Sequence, residues 1–406
     1  MASSATDAVD ARRALWALDP EVTFLNHGSF GACPRAVLEA QSRFRAQLES
    51  EPVRFFVREL EPLLESSRAT LADFVGASPD DLVFVPNATA GVNTVLSSLR
   101  FAAGDELVVT NQEYNACRNA LEVTAERCGA KVVLAQVPYP LASPDQVVEA
   151  VLAAVTPRTR LLLFDHVTSQ TGLVQPLERV IREMNDRGID VLVDGAHAPG
   201  MVPLDLARLG VTYYTGNCHK WICAPKGAAF LFVRRDRQDA TPPLVISHGW
   251  NSTRNDRSRF RLLHDWTGTW DPTPYLCVGE AIRYLGGLLP GGWDEVRSTN
   301  RALALEARSL LAAALDAPLA APDEMIGSLA TVPLPPGPEP DGPPRRAGEE
   351  IDPLQEALWQ RHQIEVPIVN WPAPPARIVR VSAQLYNRRS DYERLAAALV
   401  EEIPRG

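Results

Sequence analysis

Thr215-Gly216-Asn217-Cys218-His219-Lys220-Trp221, followed by Ile222-Cys223-Ala224-Pro225-Lys226-Gly227, is the stretch around which the chain is organised. The aromatic-rich run before it, Val211-Thr212-Tyr213-Tyr214, alternates like a short strand and feeds a tight polar turn. Lys220 closes that turn between a histidine and a tryptophan, with a Pro-Lys-Gly breaker close behind. A lysine presented this way is open to desolvation, which lowers its pKa and makes its amine a nucleophile toward an aldehyde. A single lysine is ordinarily a surface lysine. The weight shifts because, one strand and crossover earlier, the chain reads Val191-Leu192-Val193-Asp194-Gly195-Ala196-His197, a hydrophobic run ending in an acid. The carboxyl end of such a strand is where an α/β sheet presents its chemistry. An acid that salt-bridges a pyridinium nitrogen and a lysine that forms a Schiff base are the two groups a pyridoxal phosphate (PLP) site needs most. The pair points to a PLP enzyme.

Working outward, the pattern alternates strands with helices. Leu82–Pro86, Glu106–Thr110, Lys131–Ala135, Arg160–Phe164 and the run ending at Asp194 are apolar strands. Between them come a helix running on through Leu99 and further helices at 116–128, 144–155 and 177–187, and Ala228–Val233 closes the set. This rhythm implies an α/β fold: a large domain with a mainly parallel sheet covered on both faces. Asn87-Ala88-Thr89-Ala90-Gly91 lies at a strand-to-helix junction, where backbone N–H groups and the helix dipole can receive a phosphate. Tyr114, at another strand end, suits stacking on a planar cofactor or plain packing. Asp165-His166-Val167-Thr168-Ser169 brings hydroxyls and an imidazole to the same rim, His166 reading as a core histidine.

Upstream, a helical lead-in over Val9–Leu18 precedes a strand at Glu21–Leu25 and the glycine-bounded turn Asn26-His27-Gly28-Ser29-Phe30-Gly31. A helix over Ala36–Leu63 carries Arg54 and Arg58, which read as a solvated face or as a carboxylate grip, and a further helix covers Ser66–Val75. Ser258–Asp271 reads as loop, Pro274–Leu288 as helix, and Pro290-Gly291-Gly292 as a domain seam. A smaller α+β C-terminal domain follows, with helices at Ser298–Leu315, Pro353–His362 and Ser390–Glu402, a strand at Val379–Ser382, and a Pro-rich interval at Pro333–Pro344 read as an exposed loop. The expected division is an N-terminal segment at 1–20, a PLP-binding domain at 21–290 and a small domain at 291–406.

Bulk properties narrow the class. The 406 residues are 46% hydrophobic and 22% charged, as in ordinary soluble domains, and the net charge of −10 argues against a nucleic-acid or anionic-membrane partner. No basic-then-apolar leader and no apolar run of membrane-spanning length is visible, so a cytoplasmic location is expected. The six cysteines are scattered without a C-x-x-C, suggesting neither a disulfide framework nor a zinc site, and no metal is expected.

The chain resembles the class V aminotransferase-fold PLP enzymes of fold type I, and within them the isopenicillin N epimerases. The likeness rests on Leu25-Asn26-His27-Gly28-Ser29-Phe30-Gly31, Asp194-Gly195-Ala196-His197-Ala198-Pro199-Gly200, His219-Lys220-Trp221 with Ala224-Pro225-Lys226-Gly227, and Arg380-Val381-Ser382-Ala383 with Tyr386. The resemblance implies that Lys220 is the Schiff-base lysine and proton shuttle, and that Asp194 pairs with the ring nitrogen. It implies His197 and Thr168 near the ring's 3-oxygen, and Tyr114 in the stacking position. Ala88, Thr89, Asn217 and His219 would hold the phosphate, Asn217 standing where relatives carry serine. Thr269 would reach the phosphate of a neighbouring subunit's cofactor, implying a homodimer. Arg380 would grip the substrate α-carboxylate, a bidentate task suited to guanidinium, with Asn26 and His27 nearby.

These residues permit several reactions at an amino acid's α-carbon. Reprotonation on the opposite face gives epimerisation and needs a second acid, for which Tyr114, His27 or a held water are the candidates. Loss of a β-substituent gives a C–S lyase, and reprotonation at the cofactor gives transamination. Desulfuration by a C-terminal cysteine is set aside because no cysteine follows Cys277. Kynurenine hydrolysis has no positive support. Intact Asp194, Lys220 and Arg380 argue against a ligand-binding module without turnover. Epimerisation is the leading expectation.

Overall fold

Continuous apolar strands have to bury both faces, and apart from the half-buried edge strand Lys131–Ala135 they do. The computed structural model describes residues 11–338 and 351–403. Its large sheet is built from β1 (Leu82–Val85), β2 (Glu106–Thr110), β3 (Lys131–Ala135), β4 (Thr159–Asp165), β5 (Asp190–Asp194), β6 (Tyr213–Asn217) and β7 (Ala229–Val233), in the spatial order β1-β7-β6-β5-β4-β2-β3. β7 pairs antiparallel with both β1 and β6, and the remaining pairings are parallel. Successive side chains of a strand point to opposite faces. Val108, Leu162 and Val193 therefore join one core cluster while Leu107, Val109, Leu161, Leu163 and Leu192 join another. Helices α3 (Ala88–Ser98) and α4 (Asn115–Cys128) supply Val92, Val95 and Leu121 to the second cluster. On the other face lie α1 (Arg35–Ser50), α2 (Leu60–Val75), α5 (Asp145–Ala154), α6 (Leu177–Asp186) and α7 (Thr273–Gly286).

The C-terminal part opens with the long α8 (Gly292–Leu315). It adds a three-stranded antiparallel sheet in which β10 (Arg377–Ser382) lies between β8 (Leu329–Leu334) and β9 (Ile368–Asn370). Helix α9 (Pro353–His362) precedes that sheet's β9, and α10 (Arg389–Glu402) packs on α8. The chain start is tied to this part: Thr23–Phe24 pairs in parallel with Ile364–Glu365, and the Ser382 N–H donates to the Leu25 carbonyl. No helix among the described residues is long and apolar enough to cross a membrane.

Several local expectations change. The strand expected at Val211–Tyr214 runs instead over Tyr213–Asn217, because its polar residues find partners across the sheet; the Thr215 hydroxyl donates to the Phe230 carbonyl. The helix expected over Ala36–Leu63 breaks at Glu51, where extended backbone precedes Pro52, and restarts with Glu51 capping the Arg54 N–H. A looser π turn at Phe55–Glu59 then leads into α2. Ser258 caps a helix at Arg259–His264 within the supposed loop. Pro333 sits in β8, opposite Ile378, and the part of the Pro-rich interval beyond Pro338 lies outside the described residues, as does Val9 of the lead-in. Arg54 forms an exposed ion pair with Glu59, the solvated-face reading of that stretch.

Candidate active site

The parallel strands deliver their carboxyl ends to one rim, and a cavity of about 340 Å³ opens there. Asn87, Ala88 and Thr89 enter it from the junction of β1 and α3, Tyr114 from the turn after β2, and Asp165 and Ser169 from the end of β4 and beyond. Asp194, Ala196 and His197 come from the end of β5 and the turn after it; Asn217, His219 and Lys220 come from the end of β6 and its turn. Ser29 and Phe30 reach it from a one-turn helix, His27–Phe30. That helix ends at Gly31, whose φ is +71° and where a Cβ would lie 2.1 Å from the His219 carbonyl oxygen, so the two loops interlock through a glycine.

Lys220 approaches His197, with Nζ 2.9 Å from Nε2. The Trp221 indole N–H points at His197 Nδ1 at 3.4 Å, which leaves that nitrogen as acceptor and puts the imidazole proton on Nε2. Lys220 then accepts from His197, as a neutral amine can. Burial, and secondly the Arg380 charge, lowers the Lys220 pKa to about 7, against the opposing pull of Asp194, Cys117 and Asp165. Burial also holds His197 neutral.

Asp194 ends β5 with 2% exposure, and its carboxylate accepts the Ala196 N–H at 2.9 Å and the Cys117 S–H at 3.1 Å. Burial raises its pKa, while those two donors and Lys220 oppose the rise. At another part of the cavity, α3 presents its first turn, whose N–H groups lack partners within a helix. The Ala88 N–H goes to Asn217 Oδ1 at 2.9 Å and the Ala90 N–H to the Asn87 side chain. The Thr89 N–H has no partner among the described residues. With its oxygen taken by Ala88, Asn217 keeps its amide N–H₂ as a donor. His219 donates from Nδ1 to the Ala228 carbonyl, and burial holds its pKa at about 4.

Arg380, on β10, is 5% exposed and its pKa is lowered to about 10 by burial. Its Nη1 bonds to the Ser169 carbonyl and its Nη2 to Ser29 Oγ at 3.0 Å and Asn26 Oδ1 at 3.4 Å, so it abuts two cavity residues. Its Nε has no partner among the described residues. Asn26 is bound to Glu365 through its amide and steadies the arginine from behind.

Five expected site residues stand outside the cavity lining: Asn26 and Arg380, which abut it, and His27, Thr168 and Thr269. His27 is wholly buried: Nδ1 meets the Tyr386 hydroxyl at 2.8 Å, Nε2 meets the Lys220 carbonyl at 3.0 Å, and burial lowers its pKa to about 3. With both ring nitrogens engaged inside the fold, it braces the lysine turn rather than facing the cavity. Thr168 is buried too, its hydroxyl bonded to Thr171 at 2.7 Å and to the Leu173 N–H. The next residue, Ser169, lines the cavity instead. His166 turns away to the Tyr214 hydroxyl and is half-buried. Thr269 is exposed and lies outside the cavity lining. Tyr114 is 44% exposed at the cavity, and its hydroxyl has no hydrogen bond among the described residues. The sequence gives no sign of Cys117; Ser29, Phe30, Asp165 and Ser169 stand in it only within quoted motifs, with no role of their own, and the proximity of 26–31 to Lys220 is legible only as a glycine-bounded turn.

Residues 25–334 match the family described as aminotransferase class-V. The chain belongs to that family. It is 40% identical over 398 residues to an isopenicillin N epimerase of Amycolatopsis lactamdurans, covering 95% of this chain and 96% of that protein. It is 30% identical to a probable chloroplastic L-cysteine desulfhydrase of Arabidopsis thaliana, covering 94% of this chain and 83% of the relative. Among solved structures it shares the fold, at a TM-score of 0.77 and 21% identity, of a C-DES variant with glycine covalently linked to its PLP, covering 96% and 99% of the two chains. The class V family is PLP-dependent, and the cavity fits that group: a buried carboxylate, a neutral amine and an open helix N-terminus are the donor set its ring nitrogen, aldehyde and phosphate require.

Proposed function

We propose that this class V enzyme is an epimerase of the isopenicillin N type, inverting the α-carbon of an amino-acid group. The observation that carries the reading is 40% identity to an isopenicillin N epimerase across almost the whole of both chains. Bound in the cavity, PLP supplies an electron sink that acidifies the α-hydrogen of its amino-acid partner. Asp194, buried and fixed by Ala196 and Cys117, would hold the ring nitrogen. The Thr89 N–H and hydroxyl and the Asn217 amide would hold the phosphate, joined by His219 once the dianion favours its protonation. His197 offers Nε2–H to the ring's 3-oxygen. Arg380 would take the substrate carboxylate in competition with the Ser169 carbonyl and Ser29 hydroxyl.

Inversion needs a proton removed on one face and returned on the other. Lys220, with a pKa of about 7, does the first as a neutral amine. Tyr114 is the acid for the second: its phenol reaches the cavity, and burial raises its pKa, keeping it protonated at neutral pH. Thr269, exposed in the single chain, would reach the cofactor phosphate of a second copy in a homodimer. A second reading, β-elimination from a cysteine substrate, is supported by the Arabidopsis relative. Chiral chromatography after incubation with isopenicillin N tests the choice. The epimer at the side-chain α-carbon is expected; unchanged isopenicillin N together with pyruvate from an S-substituted cysteine would replace the epimerase by a lyase.

A further inference from the structure

Two more carboxyl groups, which the proposed chemistry does not use, lie beside Asp194. Asp165 and Asp194 end adjacent parallel strands and are register partners, so the pairing of β4 with β5 brings them side by side. Glu113 enters from the turn after β2, and its carboxyl, the Cys117 thiol and the Asp194 carboxyl lie within 4.8 Å of one another. All three acids are at most 4% exposed. Their satisfaction differs. Asp194 has the Ala196 N–H and the Cys117 S–H, whereas neither Glu113 oxygen nor Asp165 Oδ2 makes a well-formed hydrogen bond to a donor among the described residues, the Tyr114 backbone N–H only approaching Glu113. Glu113 and Asp165 both approach Asp194, one from the turn after β2 and the other from the adjacent strand, and a proton between the two would make a hydrogen bond. Asp165 also lines the cavity.

We propose that Glu113 and Asp165 share one proton as a carboxylic acid–carboxylate pair, and that they are positioning residues fixing the charge around Asp194 and Lys220. Glu113 is the donor and Asp165 the acceptor. Three carboxylates without three cations cannot all ionise at such close range. The member with its own donors, Asp194, stays ionised to meet the ring nitrogen, and the next proton falls on the pair. Burial pushes both Glu113 and Asp165 up, and the Asp194 charge pushes them further; the Tyr114 backbone N–H near Glu113 and the Lys220 charge near Asp165 offset part of this. The titratable neighbour on α4, Cys117, is kept as a thiol by burial and by Asp194. His166, next in sequence to Asp165, is turned to Tyr214. The remaining negative charge on Asp165 raises the pKa of Lys220 against burial and Arg380. The role at the ring nitrogen rests on the PLP reading; the shared proton does not.

Infrared spectroscopy tests the proton directly. At neutral pH, with or without PLP, the wild-type protein is expected to show a protonated-carboxyl stretch that moves in heavy water and when glutamate is labelled with carbon-13. Glu113→Gln keeps a donor and the same net charge, so it should lose the band. In the PLP-loaded proteins, Glu113→Gln should leave the pH midpoint of the cofactor absorbance in place, while Asp165→Asn should lower it by about one unit. No carboxyl band in the wild type, a band indifferent to labelled glutamate, or identical titrations of the two variants would overturn the proposal. The labelled wild-type measurement needs no variant to fold, and failure to bind PLP at all would show as absent absorbance, a separate result.

Discussion

Lys220 has to be a free base before it can capture an aldehyde, and its surroundings decide the pH at which that happens. Burial and Arg380 bring its pKa to about 7, far below the roughly 10.4 of an exposed lysine. Capture of PLP by the apoprotein should therefore speed up as pH rises through about 7 and then level off, read by stopped-flow absorbance; a rise continuing toward pH 10 would mean an undisturbed amine. Tyr114 permits a separate test of the second face. Tyr114→Phe removes the phenol but keeps the ring, so inversion of isopenicillin N should fall about 100-fold, the usual scale for a lost acid. Exchange of the α-hydrogen through Lys220 should survive it, measured by deuterium incorporation into unepimerised substrate. Equal loss of both would make the tyrosine a packing residue. Lys220, Asp194 and the Thr89 turn are readable from sequence because each sits beside a sharp change in local pattern. The bracing role of His27 is not, since its two bonds go to Tyr386 and the Lys220 carbonyl, partners far along the chain.

At the scale of elements, the interlocking of the His27–Phe30 turn with the lysine turn is the feature most exposed to mutation. Gly31→Ala adds a Cβ 2.1 Å from a backbone oxygen at a φ of +71°, and should destabilise the protein by about 2 kcal/mol or more. A urea midpoint unchanged from wild type would contradict the close packing. β2, buried on both faces, is legible to the residue because nothing polar interrupts its apolar run. β6 starts two residues later than its pattern suggests and runs three residues further, because Thr215, Gly216 and Asn217 look like a turn until Phe230 and Ala88 satisfy them. The exchange of Thr168 for Ser169 at the cavity has a similar origin: a shift of one residue in a turn changes which side chain sees the cavity, and composition does not fix that phase.

At the scale of the whole molecule, the single chain leaves Phe30, Val57, Leu244, Val245, Ile246 and Trp250 about half exposed or more. The homodimer proposed above would cover such side chains and give Thr269 its site. Sedimentation equilibrium should return twice the 44.4 kDa chain mass, and a monomer at micromolar concentration would remove Thr269 from the account. The central claim, that Lys220 carries the cofactor, has an unusually clean test because the chain has three lysines, Lys131, Lys220 and Lys226. Lys131 is exposed on β3, and the Lys226 ammonium is bonded to the Gly31 carbonyl. Borohydride reduction of the PLP-loaded protein, followed by peptide mass mapping, should place the pyridoxyl group on Lys220. A pyridoxyl group on Lys131 or Lys226, or on none of the three, would contradict the account.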